Sequence, residues 1–400
     1  MRALAASLVA VLTSVAAAQV AVFADTLYTG IGEPIRDGVV VIEGGKVTAV
    51  GPRQRVAVPA GMAVLNCRVA TPGLIDAHSC VGLTGAYNQA HDQDQLDRSA
   101  AIQPELRALD AFNAREKLVS YLRSFGITTV HTGHAPGALI SGQTMVVKTT
   151  GRSADQDVLV PCAMVACTLG EQAYASGEGA PQTRSKAVAM LRAELIKARE
   201  YATKRAQADA DKRPAADLRL DVLAAVVRGE RPLLVTVNRE HDISAAMRVA
   251  REFGLELVLD GAAESYLLLD EIAAAKLPVL PHPPMARAGG AMKNATMELA
   301  KLLADKRIPF ALQSGFESYV PKTRVVLFEA AIALQNGLTF AQALAAITTD
   351  AARLLGVDDR VGSLVVGRDG DVALFDGDPF EYTTHCTGVV IDGRPVSRDD

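Results

Sequence analysis

The sequence predicts an α/β protein: a (β/α)8 barrel beside a small sheet domain to which both chain ends contribute. Three observations carry this reading. Apolar runs of strand length alternate with helical patterns through the centre of the chain. Those runs are apolar nearly throughout, as in parallel strands covered on both faces. Both ends of the chain instead show short strands folding at tight turns. A chain of 400 residues, 49% apolar and 22% charged, is long enough to bury the core such a fold needs.

The elements follow in order. The opening MRALAASLVAVLTSVAAAQV carries Arg2, an apolar stretch over 3–15, and the small residues Ala16 and Ala18 before Gln19. This pattern predicts a signal peptide over 1–18, cleaved on export to a periplasmic or extracellular space. A membrane anchor is the alternative, but the stretch falls short of the roughly 20 residues that a spanning helix needs. No later run reads as a membrane span. VAVFADTLYT and GVVVIEGGKVTAVGP then read as strands, the second folding at Gly44-Gly45. PGLIDAH, GITTVHTG, LVPCAMVACTL, RPLLVTVN, LELVLDG, LPVLPHP and IPFALQSG are candidate barrel strands, interleaved with helical stretches such as ISAAMRVAREFG. The stretch 185–206 is a long amphipathic pattern with Leu191, Leu195 and Ala198 on one side, running into a charged loop. It reads as a surface helix and solvated loop, with a lid or subunit contact as the alternative. DVALFDGDPF and GVVIDGRPVS close the chain as strands, the second turning at Asp392-Gly393.

Composition excludes some functions. A net charge of -4, 4% aromatics and no Trp give neither a basic field nor stacking platforms for nucleic acid. Five cysteines leave at least one unpaired, and Cys162 and Cys167 lie about 16 Å apart on an extended strand, too far to bridge. There is no G-x-S-x-G elbow and no glycine-rich phosphate loop after a strand.

The chemistry concentrates in TPGLIDAHSC. Barrel sites form at the C-terminal ends of strands, and side chains two apart face the same side, so His78 and Cys80 both face the mouth. With GEPIRDGVVVIEGGKVTAVGP, ATPGLIDAHSCVGL, FGITTVHTGHAPGALISGQTMVVKTTG, AITTDAARLLGVDDRVGSLVVGRDGDVALFDGDP and GVVIDGRPV in this order, the chain resembles the amidohydrolase superfamily, in particular its imidazolonepropionase-like branch. The resemblance implies a metal-dependent barrel over 71–357 and a composite β-sandwich from 19–70 plus 358–400. It also implies one or two divalent metals held by two strand-1 histidines, a middle-strand carboxylate, and histidines from strands 5 and 6. An Asp at the end of strand 8 takes the proton of the activated water.

Against that pattern the chain substitutes heavily. Cys80 stands for the second strand-1 histidine, Thr236 and Asn238 stand at strand 5, Asp260 at strand 6 and Gly315 at the strand-8 Asp. Glu171 and Lys148 are the candidate bridging groups at strand 4. The surviving groups suggest a replacement set of His78, Cys80, Glu171 and Asp260 for one divalent metal, zinc best matching those donors. The alternatives are that Cys80 packs as a small hydrophobe and that His78 is hydrogen-bonded to a neighbour. His131, His134 and His282 end strands at the same mouth, as loop histidines or substrate contacts. His241 reads as a solvated helix-start residue, and HDQDQLD over 91–97 as a solvated loop rather than a cation site. The expected function is hydrolysis of carbon–nitrogen bonds in small cyclic or acylated substrates at an atypical metal site. The alternative is an inactive homologue that binds a small molecule, or partners a copy of itself or an active paralogue.

Overall fold

The computed structural model describes residues 19–87, 89–175, 179–207, 209–317 and 323–396. The expected signal segment over 1–18 lies outside the described residues.

The chain opens with strands β1 (Gln19–Leu27), β2 (Ile35–Glu43), β3 (Lys46–Pro52) and β4 (Ala63–Pro72). β2 and β3 form the hairpin at Gly44-Gly45. The central strands are β5 (Leu74–Ser79), β6 (Ile127–Thr132), β7 (Ile140–Gln143), β8 (Met145–Lys148), β9 (Val158–Val160), β10 (Val165–Thr168), β11 (Leu233–Val237), β12 (Leu257–Gly261) and β13 (Val279–Pro281). β14 (Val372–Phe375), β15 (Cys386–Ile391) and β16 (Arg394–Val396) end the described chain. Strands from both chain ends share one sheet in the order β16-β15-β14-β4-β1-β2-β3, and the antiparallel pairing of β14 with β4 joins the ends. Both faces of this sheet are buried, one through Val20, Val22, Ile42 and Val390, the other through Ala21, Val39 and Val41.

The central strands pair in two sheets, β13-β12-β11-β10-β7 and β5-β6-β8-β9. The residues of β5, β6 and β10 are buried at every position, which explains why their sequences do not alternate. The stretch after Arg307 makes only isolated parallel bridges, Phe310 with Val279 and Gly315 with Ser79, rather than the full strand expected of IPFALQSG. Through them the last sheet strand, β13, meets β5 again. Two expectations are corrected. LVPCAMVACTL is not one strand: β9 and β10 are separate, and Thr144 sits opposite the gap, donating its backbone N–H to Met164 O at 2.9 Å and receiving that of Ala163 at 2.8 Å. The staves are also not all parallel, since β8 runs antiparallel to β6 and β7 antiparallel to β10.

The long amphipathic stretch forms helix Arg184–Arg205, capped by the Thr183 hydroxyl, with Ala187, Leu191, Leu195 and Ala198 packed inward. Among the described residues no helix is long and apolar enough to cross a membrane, and all five cysteines are free thiols.

Lys148 bonds across the junction between central strands and terminal sheet. It ends β8, is 2% exposed, and donates to Asp369 at 2.8 Å, to Asp371 at 3.1 Å and to Asp392. Burial opposes its charge, and the three carboxylates outweigh burial and hold the ammonium well above its ordinary value. Lys148 pairs with Thr129 near the start of β6, far from the strand ends that carry His78, so its candidacy as a bridging metal ligand is withdrawn. Replacing Lys148 with Met should destabilise the protein by roughly 3–5 kcal/mol in denaturant unfolding, because Asp369 and Asp371 are left buried without a counter-charge. Loss of less than about 1 kcal/mol, the range of an exposed pair, would show that the cluster is solvated instead.

Candidate functional site

The site is the pocket at the C-terminal ends of β5, β11, β12 and β13, lined by His78, Cys80, Asn238, Asp260, His282 and Arg324 among others, with a volume of about 90 Å³. At its base lies Asp260, 4% exposed, whose carboxylate accepts from every side. Oδ1 faces His78 Nδ1 at 3.1 Å and accepts from Gln313 Nε2 at 2.8 Å, while Oδ2 accepts from the Thr236 hydroxyl at 2.6 Å. Burial works against ionisation of Asp260, but the His78 charge and these three donors hold its carboxyl below the usual range. Burial likewise opposes charge on His78, and the Asp260 carboxylate overrides it and raises the imidazole. The two therefore form a buried ion pair in which His78 Nδ1–H donates to Asp260. His78 Nε2 is left with no protein partner.

Strand geometry fixes this arrangement. Thr236 and Asp260 lie opposite each other in the β11–β12 register, and Gln313 reaches in from the closing stretch, where its amide also bonds Leu280 O at 2.8 Å. Asp76, fully buried two residues before His78, accepts from Ser314 N at 2.9 Å and from the Ser314 hydroxyl, tying β5 to the same stretch. Burial pushes the Asp76 carboxyl up to about 6.

Four further groups complete the pocket. Burial lowers His282 against the backbone carbonyls of Pro283 and Thr296; its Nδ1–H donates to Pro283 O at 3.0 Å, and Nε2 has no hydrogen-bond partner. Asn238 Oδ1 is buried without a donor. Arg324 pairs with Glu317 and lies 3.7 Å from Glu329. Burial pushes the Cys80 thiol far above its ordinary value, so it is a protonated SH.

The expected metal set does not assemble. His78 and Asp260 come together, but as partners of each other. Cys80 lines the same pocket as a buried, neutral thiol. Glu171 is exposed on a 3-10 turn outside the pocket lining, its carboxylate on the side of Gly290. Among the described residues no three His, Cys, Asp or Glu side chains are placed to hold a metal ion. Gly315 has a φ of +67°, and a Cβ there would lie 3.1 Å from Pro283 Cγ. Position 315, where the resemblance implied a proton acceptor, is thus shaped for glycine, since a side chain in this conformation costs about 1–2 kcal/mol.

The other histidines divide. His282 is at the mouth, as its place after strand 7 suggested. His131 is not a loop residue: it lies within β6, donating Nδ1–H to Ala77 O at 2.7 Å and accepting from the Thr144 hydroxyl at 2.7 Å. His134 lines a separate cavity with Asp97 and Arg107. His241 is exposed on helix Glu240–Phe253, as expected. Sequence reasoning missed Gln313, Arg324 and Ser314. Their signal was only their nearness to the strand-8 position, and nothing in residue type marks a glutamine as the partner of a distant aspartate.

Known proteins place this geometry in context. Residues 98–397 match the model of the Amidohydrolase family. Amidohydrolase tasK of Hapsidospora irregularis is 24% identical over 402 residues, a match covering 92% of this chain, and the chain spans about two fifths (41%) of that relative's length. An amidohydrolase from Thermotoga maritima superposes with a TM-score of 0.88 at 26% identity, covering 94% of this chain and 99% of that one. An adenosine deaminase from Xanthomonas campestris with bound zinc superposes with a TM-score of 0.56 at 17% identity, over 95% and 93% of the two chains. At that identity the likeness is one of fold.

His131 gives a pH dependence. Burial, then the neighbouring His78 charge, lowers it to about 3, so it is neutral when folded and protonates readily only when unfolded. A depressed folded value contributes stability that is present above the unfolded value near 6.5 and is lost as pH falls towards 3, at up to about 1.4 kcal/mol per pH unit. His131→Gln should flatten the loss of denaturant stability between pH 6.5 and 4 relative to the parent. Parallel slopes in the two proteins would remove His131 as the cause.

Proposed function

Because this chain belongs to the amidohydrolase family, we propose that its mouth takes a small amide or acylated molecule and holds it by fixed charge and hydrogen bonds rather than through a metal ion. We infer with this that the strand pairings close a (β/α)8 barrel over 71–357, accompanied by a sandwich from the two ends. The observation that carries the binding proposal is the saturated carboxylate of Asp260.

The family typically works through a divalent metal, which supplies a Lewis acid and an activated water. The donors present do not fit one. Zinc sites of this kind combine imidazoles with carboxylate or thiolate. Here both Asp260 oxygens are engaged by His78, Gln313 and Thr236, and among the described residues no three His, Cys, Asp or Glu side chains are placed to hold an ion. The unpartnered atoms are His78 Nε2, His282 Nε2 and Asn238 Oδ1. His78, charged against Asp260, presents Nε2–H as a donor, and Asn238 presents an acceptor. An amide offers the complement, its carbonyl oxygen to His78 and its N–H to Asn238. Arg324, turning from Glu317, adds a cation for a carboxylate on the same molecule. A space of about 90 Å³ has room for about three waters, hence for one such head group.

Hydrolysis of the bound carbon–nitrogen bond without a metal is the second reading, and His282 favours it. Its bare Nε2 is a neutral base in the same pocket. It would take the proton of an attacking water and return it to the leaving nitrogen, while His78 steadies the carbonyl oxygen.

Titration calorimetry with N-acetylglycine in the presence of a chelator tests the proposal. Binding should persist, fall at least about tenfold in Asp260→Asn, which discharges the ion pair, and be unchanged in Cys80→Ser. Retention of zinc in stoichiometric amount through dialysis, with loss of binding on chelation, would overturn it. Under the second reading, chelator-resistant release of acetate should vanish in His282→Gln while binding remains.

A further inference from the structure

The opposite, N-terminal ends of the strands carry a second cavity. Three consecutive helix-to-strand turns there share one geometry. Gly254, Lys276 and Arg307 each stand three residues before Leu257, Val279 and Phe310, and each adopts the left-handed conformation, with φ of 68°, 54° and 55°. In each the next residue donates its N–H back to the carbonyl five residues earlier: Leu255 to Ala250 at 3.0 Å, Leu277 to Ile272 at 3.2 Å and Ile308 to Leu303 at 3.0 Å. This is the Schellman turn, whose left-handed position glycine fills at least strain. Gly254 follows that rule. Lys276 and Arg307 break it at neighbouring turns and line one cavity of about 570 Å³.

Strain that the fold tolerates twice, with a cation both times, calls for a function of the cations. Favourable placement at a helix C-terminus is the structural alternative. Two observations favour a ligand. Among the described residues neither Lys276 nor Arg307 has an ion-pair or side-chain hydrogen-bond partner, although Lys306, next to Arg307, pairs with Asp270. The cavity also has an apolar floor, including Phe310 and Leu354, and a third cation, Arg353, already balanced by Asp350 at 2.6 Å. Its volume is that of a small-molecule site. We propose that this cavity binds a small organic anion, a carboxylate or phosphate monoester on an apolar body, with Lys276 and Arg307 on the anion and Phe310 under the body. The site lies across the strands from the mouth and does not depend on the reading of the mouth.

Calorimetric titration of the full chain with phenyl phosphate tests this, with inorganic phosphate and benzyl alcohol supplying head and body alone. Phenyl phosphate should bind at one site, more weakly as salt rises, and more tightly than either part. Lys276→Gly with Arg307→Gly should lower affinity at least about tenfold without lowering the melting temperature, since glycine is at ease in the left-handed turn. The Asn pair, which also tolerates this conformation without charge, should lose binding equally and covers the case of a poorly folded Gly variant. Arg324→Gln at the mouth should leave binding intact. No saturable binding, binding untouched in both double variants, or binding abolished by Arg324→Gln would overturn the proposal.

Discussion

The ammonium of Lys148 holds the two ends of the chain against its middle. It reaches from the last residue of β8 into carboxylates at the start of β14 and at the turn between β15 and β16. Lys46, Arg360 and Arg152 add positive charge from the rim. A cluster of this kind gains little over apolar packing when intact and is costly when one member is missing. It therefore specifies which surfaces meet. The orientation of the terminal sheet on the central strands follows from it, and with that the placement of β4, which runs into β5, the strand of His78.

The mouth works by the same logic at smaller scale. A buried carboxylate needs counter-charge and donors, and Asp260 obtains both from protein groups on two other strands and the closing stretch. In a relative with a metal, the ion would be the largest local charge and would set the protonation of everything near it. Here the charge beside Asp260 is that of His78, fixed in direction by its Nδ1–H bond. Gly315, beside the pair, holds a left-handed backbone that a side chain would strain.

Much of this was legible in sequence because periodicity and turn chemistry are local. Gly44-Gly45 and Asp392-Gly393 marked their hairpins, and Leu191, Leu195 and Ala198 marked the buried side of the long helix. HSC at the end of LIDAHSC marked the mouth. What was not legible depended on pairing across the fold. His131 looks like a loop histidine until Thr144 and the Ala77 carbonyl claim its two nitrogens. Lys148 sits in an apolar run whose carboxylates lie more than two hundred residues away. Glu171 follows a strand closely enough to suggest a ligand, but the turn that carries it leads the side chain out of the pocket.

Thr144 separates β7 from β8, so one nearly continuous stretch serves two sheets, bonding β10 on one side and β6 on the other. Each half-sheet is then drawn largely from neighbouring chain, the first complete near Val160 and the second near Pro281. Local pairing of this sort forms quickly and early. Backbone bonds join the halves at this residue and at the bridges of Phe310 and Gly315, and a shared core of Ile75, Ala77, Val146, Leu234, Val258 and Leu280 fills the space between them. The end of β5 that carries His78 belongs to one half and Asp260 to the other. The His78–Asp260 pair is thereby also a clasp between the halves.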